Sequence, residues 1–195
     1  MAVHDVGGPI GFLVATRRPE RFRALAISNT FGWPMAGYTA VRRMLKIIAS
    51  LLFGTVNDLT NAVALFTASR YGVGRHLSKA DRRSFLGSWR SRSRRRATQQ
   101  ILAGVLRIDP LMAGIERSLK TRLADLPVLT LFGRKNDPYG WQARFGQILP
   151  RITAAGIEDG HHLPFNDDPY AYAIAISAWW AEKVATPDAQ PPSVR

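Results

Sequence analysis

The first thirty residues alternate between short apolar runs and a helical segment. MAVHD is typical of the end of a strand, and RALAISN is a second apolar run of buried-strand length. Between them, GGPIGFLVATRRPERF has apolar residues at helical spacing, with Pro9 in a suitable first turn and Pro19 disfavouring helix at Arg18. Strand, helix and strand in this order indicate a unit of parallel α/β sheet.

The last seventy residues repeat this alternation. LPVLTLFG predicts a buried strand that ends in the turn-forming NDP, and RITAAGIEDG contains a short strand. YGWQARFGQILP and AYAIAISAWWAEKVA predict helices, with HHLPFNDDP as a loop before the second. We therefore expect one α/β core made from residues 1–32 and 126–186.

The middle of the chain has a different character. Residues 33–125 show helical spacing and no strand pattern, and Ser78 precedes Asp81 by three residues, which fits a weak capping box. We interpret this segment as a helical insertion into the α/β core. The final residues 187–195 are rich in proline and polar side chains, and we expect a disordered tail there.

Composition excludes several classes of protein. The chain has 195 residues, 46% of them hydrophobic and none of them cysteine, so it is globular and has neither disulfides nor cysteine-based metal sites. Its first residues do not resemble a signal peptide, and its most apolar stretch is broken by Lys46 and Asp58. We expect a cytoplasmic protein without a membrane partner.

The chain is strongly basic, with a net charge of +13 and a pI near 11.1. This charge permits weak attraction to nucleic acid or to anionic membranes, and the arginines of SWRSRSRRRATQQ could contact phosphates while Trp89 stacks on a base. The arginine run also fits one solvated face of a helix, and no nucleic-acid-binding motif accompanies it. A binding function of this kind is therefore the weaker alternative, and no specific nucleic acid is expected.

Three polar loops follow three of the predicted strands. They carry Asp5, Asp137 and the pair His161 and His162, and the carboxyl ends of parallel strands meet at one edge of a sheet. A carboxylate on a glycine-lined turn can act as a nucleophile and form an ester, with the following helix N-terminus stabilising its charge. A histidine then activates water, and a second carboxylate orients that histidine. The pattern predicts covalent hydrolysis.

The three loops and their surroundings resemble a known family. VHDVGGPIGFLVATRRPERF resembles the nucleophile elbow of α/β-hydrolases of the haloalkane dehalogenase and epoxide hydrolase group, and the residues around Asp137 and His162 resemble their acid and histidine loops. The helical insertion is similar to their cap. The resemblance implies an α/β-hydrolase fold, the catalytic residues Asp5, Asp137 and His162, a small organic halide, epoxide or ester as substrate, and neither metal nor organic cofactor.

The resemblance also assigns neighbouring roles. His162 is preferred over His161 as the base because it directly precedes an aliphatic residue and proline in HLPF, which leaves His161 to line the site. Asn29 follows the second strand where some family members carry an alternative acid. Since Asn29 is an amide, the resemblance favours Asp137 for the acid role.

Three further residues are candidates for the oxyanion site or the pocket. Val6 stands where many dehalogenases have a tryptophan that helps to hold the leaving halide. Valine has no side-chain donor, so only its backbone N–H can contribute to an oxyanion hole. Epoxides and esters therefore remain alternative substrates to halides. His4 and Trp33 are pocket candidates, with the alternative that they are structural, because buried aromatic residues usually belong to a core.

The chain begins inside a strand, whereas the family has further strands and an oxyanion loop upstream. We therefore interpret it as the C-terminal part of a larger enzyme, with a catalytically inactive remnant as the alternative. An open edge at the first strand would leave backbone and apolar surface exposed. We expect poor solubility or dimerisation of the isolated chain.

Overall fold

The structure is a computed structural model that describes residues 1–69, 72 and 77–185, so the predicted disordered tail lies outside the described residues. The strands are β1 (Ala2–His4), β2 (Leu25–Ser28), β3 (Val128–Gly133) and β4 (Ile152–Ile157). The helices are α1 (Gly7–Arg17), α2 (Thr39–Ala49), α3 (Leu51–Thr60), α4 (Ala62–Thr67), α5 (Lys79–Gly87), α6 (Arg92–Gly104), α7 (Asp109–Lys120), α8 (Trp141–Ile148), α9 (Pro164–Asp167) and α10 (Pro169–Lys183).

The four strands form one parallel sheet in the order β1-β2-β3-β4, which confirms the predicted α/β class. The crossovers that parallel strands require are α1 between β1 and β2, α2 to α7 between β2 and β3, and α8 between β3 and β4. All four strands therefore end at the same edge of the sheet. Within the described sheet β1 and β4 are the edge strands, and dimerisation or poor solubility through β1 stays a prediction.

Helices cover both faces of the sheet, as the alternation of side chains along β3 shows. Leu129 and Leu131 belong to a buried cluster with Trp179 of α10. Phe132 points to the other face, where its ring centroid lies 6.3 Å from that of Phe145 in α8. Successive strand residues point to opposite faces, so a strand with two apolar faces needs a helical layer on each side.

Helix α1 packs tightly on the first strand. A Cβ atom at Gly11 would overlap Cγ1 of Val3, so glycine allows the helix to approach β1 closely. Phe12 is fully buried, and its ring centroid lies 6.0 Å from that of Phe145. This packing fixes the direction of the short turn between β1 and α1, where Asp5 lies.

The described chain divides into two compact units. The first contains Met1–Gly32 and Gly114–Arg195, and the second contains Trp33–Ala113. Residues 114–125 are predicted to belong to the helical insertion, whereas their contacts group them with the sheet unit. For example, Leu119 packs so closely on Gly32 that a Cβ atom at Gly32 would lie 2.6 Å from Cδ1 of Leu119. The predicted bounds of core and cap stay a prediction.

The second unit is built of helices. Helices α2 and α3 pack against α6, and the Arg42 guanidinium lies 2.9 Å from the Asp109 carboxylate. The Ser78 hydroxyl accepts a hydrogen bond from the Asp81 backbone N–H at the start of α5, which confirms the predicted cap. Within the described residues, no helix combines the length and the apolar character that crossing a membrane requires.

One segment differs from its prediction. HHLPFNDDP, expected as a loop, contains the short helix α9, with Pro164 in its first turn. Asp168 then accepts a hydrogen bond from the Ala171 N–H and caps α10. The proline and the cap together allow one helical turn to form between the histidine pair and the last helix.

Candidate active site

The turn after β1 holds Asp5 in a constrained conformation. Asp5 has a φ of +46°, which lies in the left-handed region that residues other than glycine seldom adopt. Its carbonyl oxygen accepts hydrogen bonds from the Gly8 N–H at 2.9 Å and from the Thr30 hydroxyl. A Cβ atom at Gly8 would lie 2.8 Å from Thr30 Cβ, so only glycine fits there. These contacts present the Asp5 side chain, which is 45% exposed, at the end of the strand.

The structure brings the second predicted catalytic residue to Asp5. His162 lies in the loop after β4, and its Nε2 atom is 3.4 Å from Asp5 Oδ2. The Val6 backbone N–H donates to the Asp5 carboxylate, at the N-terminus of α1. The imidazole and the carboxylate therefore lie within ion-pair distance of each other at the carboxyl ends of β1 and β4.

The structure places Asp137, the predicted orienting acid, elsewhere. Its Oδ1 accepts a hydrogen bond from the Trp141 N–H at 2.7 Å, and its Oδ2 accepts one from the Gln142 N–H at 2.9 Å. In the described chain, no hydrogen bond or ion pair joins Asp137 to His162. The unpaired N–H groups of the first turn of α8 attract this carboxylate, so Asp137 caps a helix instead of facing the histidine.

Asn136 occupies the position that the sequence analysis assigns to Asp137. Its Oδ1 atom lies 3.2 Å from His162 Nδ1. Residues 134–136 form a 3₁₀ turn directly after β3, and this turn presents the side chain of Asn136 to the histidine. Asn136 was not predicted from the sequence, although it is adjacent to Asp137, because a carboxylate was expected as the orienting group.

Asn29 fixes the turn that carries Asn136. Its side-chain oxygen accepts a hydrogen bond from the Gly133 N–H at 2.9 Å, and its Nδ2 donates to the Asn136 carbonyl at 3.0 Å. Asn29 is 4% exposed and has a φ of +35°, a region in which asparagine is tolerated better than most residues. Asn29, which stands where some family members carry an alternative acid, thus holds the turn that presents Asn136 to the histidine.

His4 and His161 support the histidine loop through the backbone. His4 Nε2–H donates to the His162 carbonyl at 2.6 Å, and the His4 ring packs 5.2 Å from that of Phe165. The His161 N–H donates to Asp167 Oδ2 at 2.6 Å. The His4 contact is the structural role that the sequence analysis kept as an alternative to pocket lining.

The charges at the site favour an ionised Asp5. Partial burial acts to raise the pKa of Asp5, but its hydrogen bond and electrostatic interaction with His162 lower it more, so the net pKa is below the ordinary aspartate value. Burial, together with the electrostatic interaction with His162, lowers the pKa of His4. At neutral pH Asp5 is therefore a carboxylate and His4 a neutral hydrogen-bond donor.

Trp33, the remaining predicted pocket residue, is fully buried in the second compact unit and is not among the residues grouped with Asp5 and His162. The described residues contain no group of three or more His, Asp or Glu side chains that could hold a metal ion. The site in the first unit therefore consists of a carboxylate, an imidazole and an amide.

Several curated proteins are similar in sequence to this chain. No family model matches the chain. Haloalkane dehalogenase 2 of Mycobacterium tuberculosis is 26% identical over 181 residues, which are 88% of this chain and 60% of that protein. A cis-3-alkyl-4-alkyloxetan-2-one decarboxylase of Shewanella oneidensis is 31% identical over 174 residues, which are 84% of this chain and 54% of that protein.

Solved structures show the same fold. A haloalkane dehalogenase from Bradyrhizobium elkani superposes with a TM-score of 0.76 at 18% identity, covering 92% of this chain and 66% of that one. A putative ancestral haloalkane dehalogenase gives 0.75 at 19% identity, covering 93% and 67%. The chain thus spans about three fifths of the length of the curated relatives it matches. Over most of its own length, the chain has an α/β-hydrolase fold of the haloalkane dehalogenase-like kind.

Proposed function

We propose that this chain carries the catalytic residues of an α/β-hydrolase that forms an alkyl-enzyme ester on Asp5. The observation that carries the proposal is the Asp5 carboxylate on a strained strand-to-helix turn with His162 Nε2 3.4 Å away. The lowered pKa of Asp5 keeps the carboxylate ionised, as a nucleophile requires. No metal or organic cofactor takes part in this mechanism.

The first step is attack on carbon. An Asp5 oxygen forms a bond to an sp³ carbon of the substrate, and the leaving group departs with the electrons of the bond that breaks. The names of the curated relatives indicate a haloalkane and an alkyl-substituted oxetan-2-one as their substrates, and both contain such a carbon. Val6 contributes a backbone N–H but no side-chain donor that could hold a halide. The substrates of this site therefore include epoxides and oxetanones, in which a strained C–O bond breaks, as well as haloalkanes.

The second step is hydrolysis of the ester. His162 Nε2 takes a proton from water, and the oxygen of that water attacks the ester carbonyl carbon of Asp5. The bond between this carbon and the alkyl oxygen breaks, the imidazolium of His162 returns its proton to the departing oxygen to give the alcohol, and the acid left on Asp5 loses a proton to solvent to restore the carboxylate. In the ester Asp5 carries no negative charge, so a hydrogen bond from His162 Nδ1–H to Asn136 Oδ1 places the proton on Nδ1 and leaves the Nε2 lone pair to accept the proton of water.

Blocking the second step is expected to trap the ester. A His162→Phe variant retains Asp5 but has no base, so a bromoalkane should increase the intact mass by its alkyl group. An epoxide or an oxetan-2-one, whose ring opens without losing an atom, should increase it by the mass of the whole substrate. In each case the added mass should lie on the peptide that contains Asp5. His161→Phe is the matched control, because it removes the neighbouring imidazole and should turn over without accumulating an adduct. If no substrate modifies His162→Phe and the wild type releases no product, the inactive-remnant alternative replaces this proposal.

Asn136 leads to a separate prediction. Asn136→Asp is expected to raise kcat by about tenfold or more, because a carboxylate stabilises the imidazolium that forms during hydrolysis, which a neutral amide does not. Steady-state kinetics of the wild type and the variant on one substrate measures the change.

Asp137→Asn is the matched control for that change. It removes one of the two acceptor oxygens and the negative charge at the N-terminus of α8, so it should lower the free energy of unfolding by up to about 1 kcal/mol and leave kcat unchanged. Asp137 would regain the orienting role if its variant lowered kcat while Asn136→Asp left kcat unchanged.

A further inference from the structure

Helix α3 has its polar and apolar faces reversed. Asn57 and Asp58 are buried, at 1% and 9% exposure, whereas Leu51, Leu52 and Leu59 are 92%, 78% and 66% exposed. A helix on the surface of a globular protein normally turns its apolar stripe to the core and its charged residues to water. The leucines of α3 therefore lie where a partner surface would contact them.

Polar contacts hold α3 in this orientation. The Asn57 amide donates to the Arg95 carbonyl of α6 at 3.3 Å, and the Arg96 guanidinium lies 2.6 Å from Asp58 Oδ2. Because Arg95 and Arg96 belong to α6, these contacts turn Asn57 and Asp58 towards α6 and leave the leucines on the opposite side of α3. The exposed apolar face is thus built into the packing of α3 on α6.

The preceding helix also exposes apolar side chains. Met44 and Ile47 of α2 are 52% and 57% exposed, and since they are three residues apart they share one face of that helix. Helices α2 and α3 contact one another, and we call their exposed apolar side chains the apolar ridge; its members are Met44, Ile47, Leu51, Leu52, Val56 and Leu59. Exposed apolar side chains grouped on neighbouring helices mark a site of interaction with a protein or a membrane.

Positive charge is concentrated in the same unit. Residues 33–113 contain fourteen Arg and Lys and three Asp, and therefore carry +11 of the chain's net charge of +13. Two of these aspartates are paired with arginines. Arg43 and Lys46 are adjacent in sequence to Met44 and Ile47 on α2, and Lys46 is exposed. The partner that covers the ridge must therefore combine apolar surface with negative charge.

A cavity of about 480 Å³ opens beside the ridge. Leu51 lines it, together with Arg96, Arg107, Gln99 and the Asp58 carboxylate that Arg96 neutralises. Guanidinium groups are the preferred protein donors to phosphate oxygens. The cavity is large enough for a polar phosphate group whose apolar chains would lie along the ridge.

We propose that residues 33–113 bind the surface of an anionic phospholipid bilayer, with the apolar ridge at the boundary between headgroups and acyl chains. Basic amphipathic helices bind such surfaces through buried apolar area and attraction to anionic lipid. A nucleic acid would leave the leucines in water, and a second copy would bring +11 against +11. The proposal adds a membrane partner that the sequence analysis did not expect, and it does not depend on the catalytic residues.

The test is sedimentation of the 195-residue chain with lipid vesicles. At about 0.1 M salt the chain should bind vesicles of phosphatidylcholine that contain about 30% phosphatidylglycerol. Its binding to pure phosphatidylcholine vesicles should be at least about tenfold weaker. Most of the binding to the anionic vesicles should be lost at about 0.5 M salt. Equal binding to both vesicle types, or binding to neither, would overturn the proposal.

Two double variants separate the apolar and charged contributions. Leu51→Ser/Leu52→Ser should weaken binding to anionic vesicles about 30-fold through lost apolar burial, and Arg43→Gln/Lys46→Gln should weaken it by a similar factor at low salt. Ile10→Ser/Val14→Ser is the matched control, because it removes exposed apolar residues from the other unit. Circular dichroism of each variant verifies folding.

Other occupants of the ridge give different results. A concentration-dependent dimer that disappears in Leu51→Ser/Leu52→Ser would assign the ridge to a second copy and overturn the proposal. Salt-sensitive binding to duplex DNA that exceeds vesicle binding and survives the leucine substitutions would assign the positive charge to nucleic acid, and would overturn it as well.

Discussion

Replacing Asp5 with asparagine is expected to lower kcat/KM by at least about 1,000-fold, because the amide cannot form the alkyl ester that the mechanism requires. Asparagine is the appropriate replacement because Asp5 has a φ of +46°, and asparagine tolerates the left-handed region better than alanine does. The backbone of the turn, held by the Gly8 N–H and the Thr30 hydroxyl, should be unchanged. Steady-state kinetics on the best substrate measures the effect.

Two controls make this result specific. Intact mass must show that the introduced asparagine has not been hydrolysed back to aspartate, since a small fraction of wild-type chain would conceal the loss. Asp159→Asn changes an exposed carboxylate that pairs with Lys135 at the surface and should leave kcat/KM unchanged. Retention of more than a tenth of wild-type activity by Asp5→Asn would remove Asp5 from the chemistry.

Gly133→Ala is expected to disable the site without touching a catalytic side chain. A Cβ atom at Gly133 would overlap the His161 carbonyl oxygen and lie 2.6 Å from the Gly160 carbonyl carbon, so the backbone of the histidine loop must move. Overpacking against backbone costs about 3 kcal/mol of stability, and displacing His162 by about 1 Å costs about 100-fold in kcat. Chemical denaturation and kinetics measure the two losses.

The matched control is Gly146→Ala in α8. Nothing lies within 4 Å of a Cβ atom at Gly146, which is an exposed helical position, so alanine should stabilise the helix by up to about 1 kcal/mol and leave kcat unchanged. Gly133 has a φ of −70°, which any residue adopts, so its effect arises from close approach alone. Equal stability of the two variants would contradict the close packing of the histidine loop on β3.

The fold was largely predictable because its signals are local. The apolar runs that became β2 and β3 are bounded by turn residues, and the helical spacing of α1, α8 and α10 is visible in the sequence. Helix α9 was not predicted, because four residues are too few for a periodic pattern and Pro164 favours a loop as readily as a first helical turn.

The site was predictable in its types of residue more than in its contacts. Asp5 and His162 follow strands in motifs with few alternatives, and the structure brings them together. Whether Asn136 or Asp137 faces the histidine depends on how a 3₁₀ turn rotates two adjacent side chains, and on the competing attraction of the α8 N-terminus for a carboxylate. Sequence position does not determine the outcome of that competition.

The reversed faces of α3 show the same limit on a larger scale. Spacing along the chain identifies which residues share a helix face, but the choice between burying Asp58 and burying Leu51 is made by the arginines of α6, which are distant in the sequence. Contacts between distant segments therefore decide both the orienting residue at His162 and the surface exposed by residues 33–113.

The central claim, a covalent ester on Asp5, is tested most directly by a single turnover in ¹⁸O-labelled water with enzyme in excess over substrate. If water attacks the ester carbonyl carbon of Asp5, one carboxylate oxygen of Asp5 is exchanged for ¹⁸O, so the peptide that contains Asp5 becomes heavier by the difference between the two isotopes. The alcohol product then carries no label. If the label appears only in the product and the Asp5 peptide is unlabelled, water attacks the substrate directly and Asp5 is not the nucleophile.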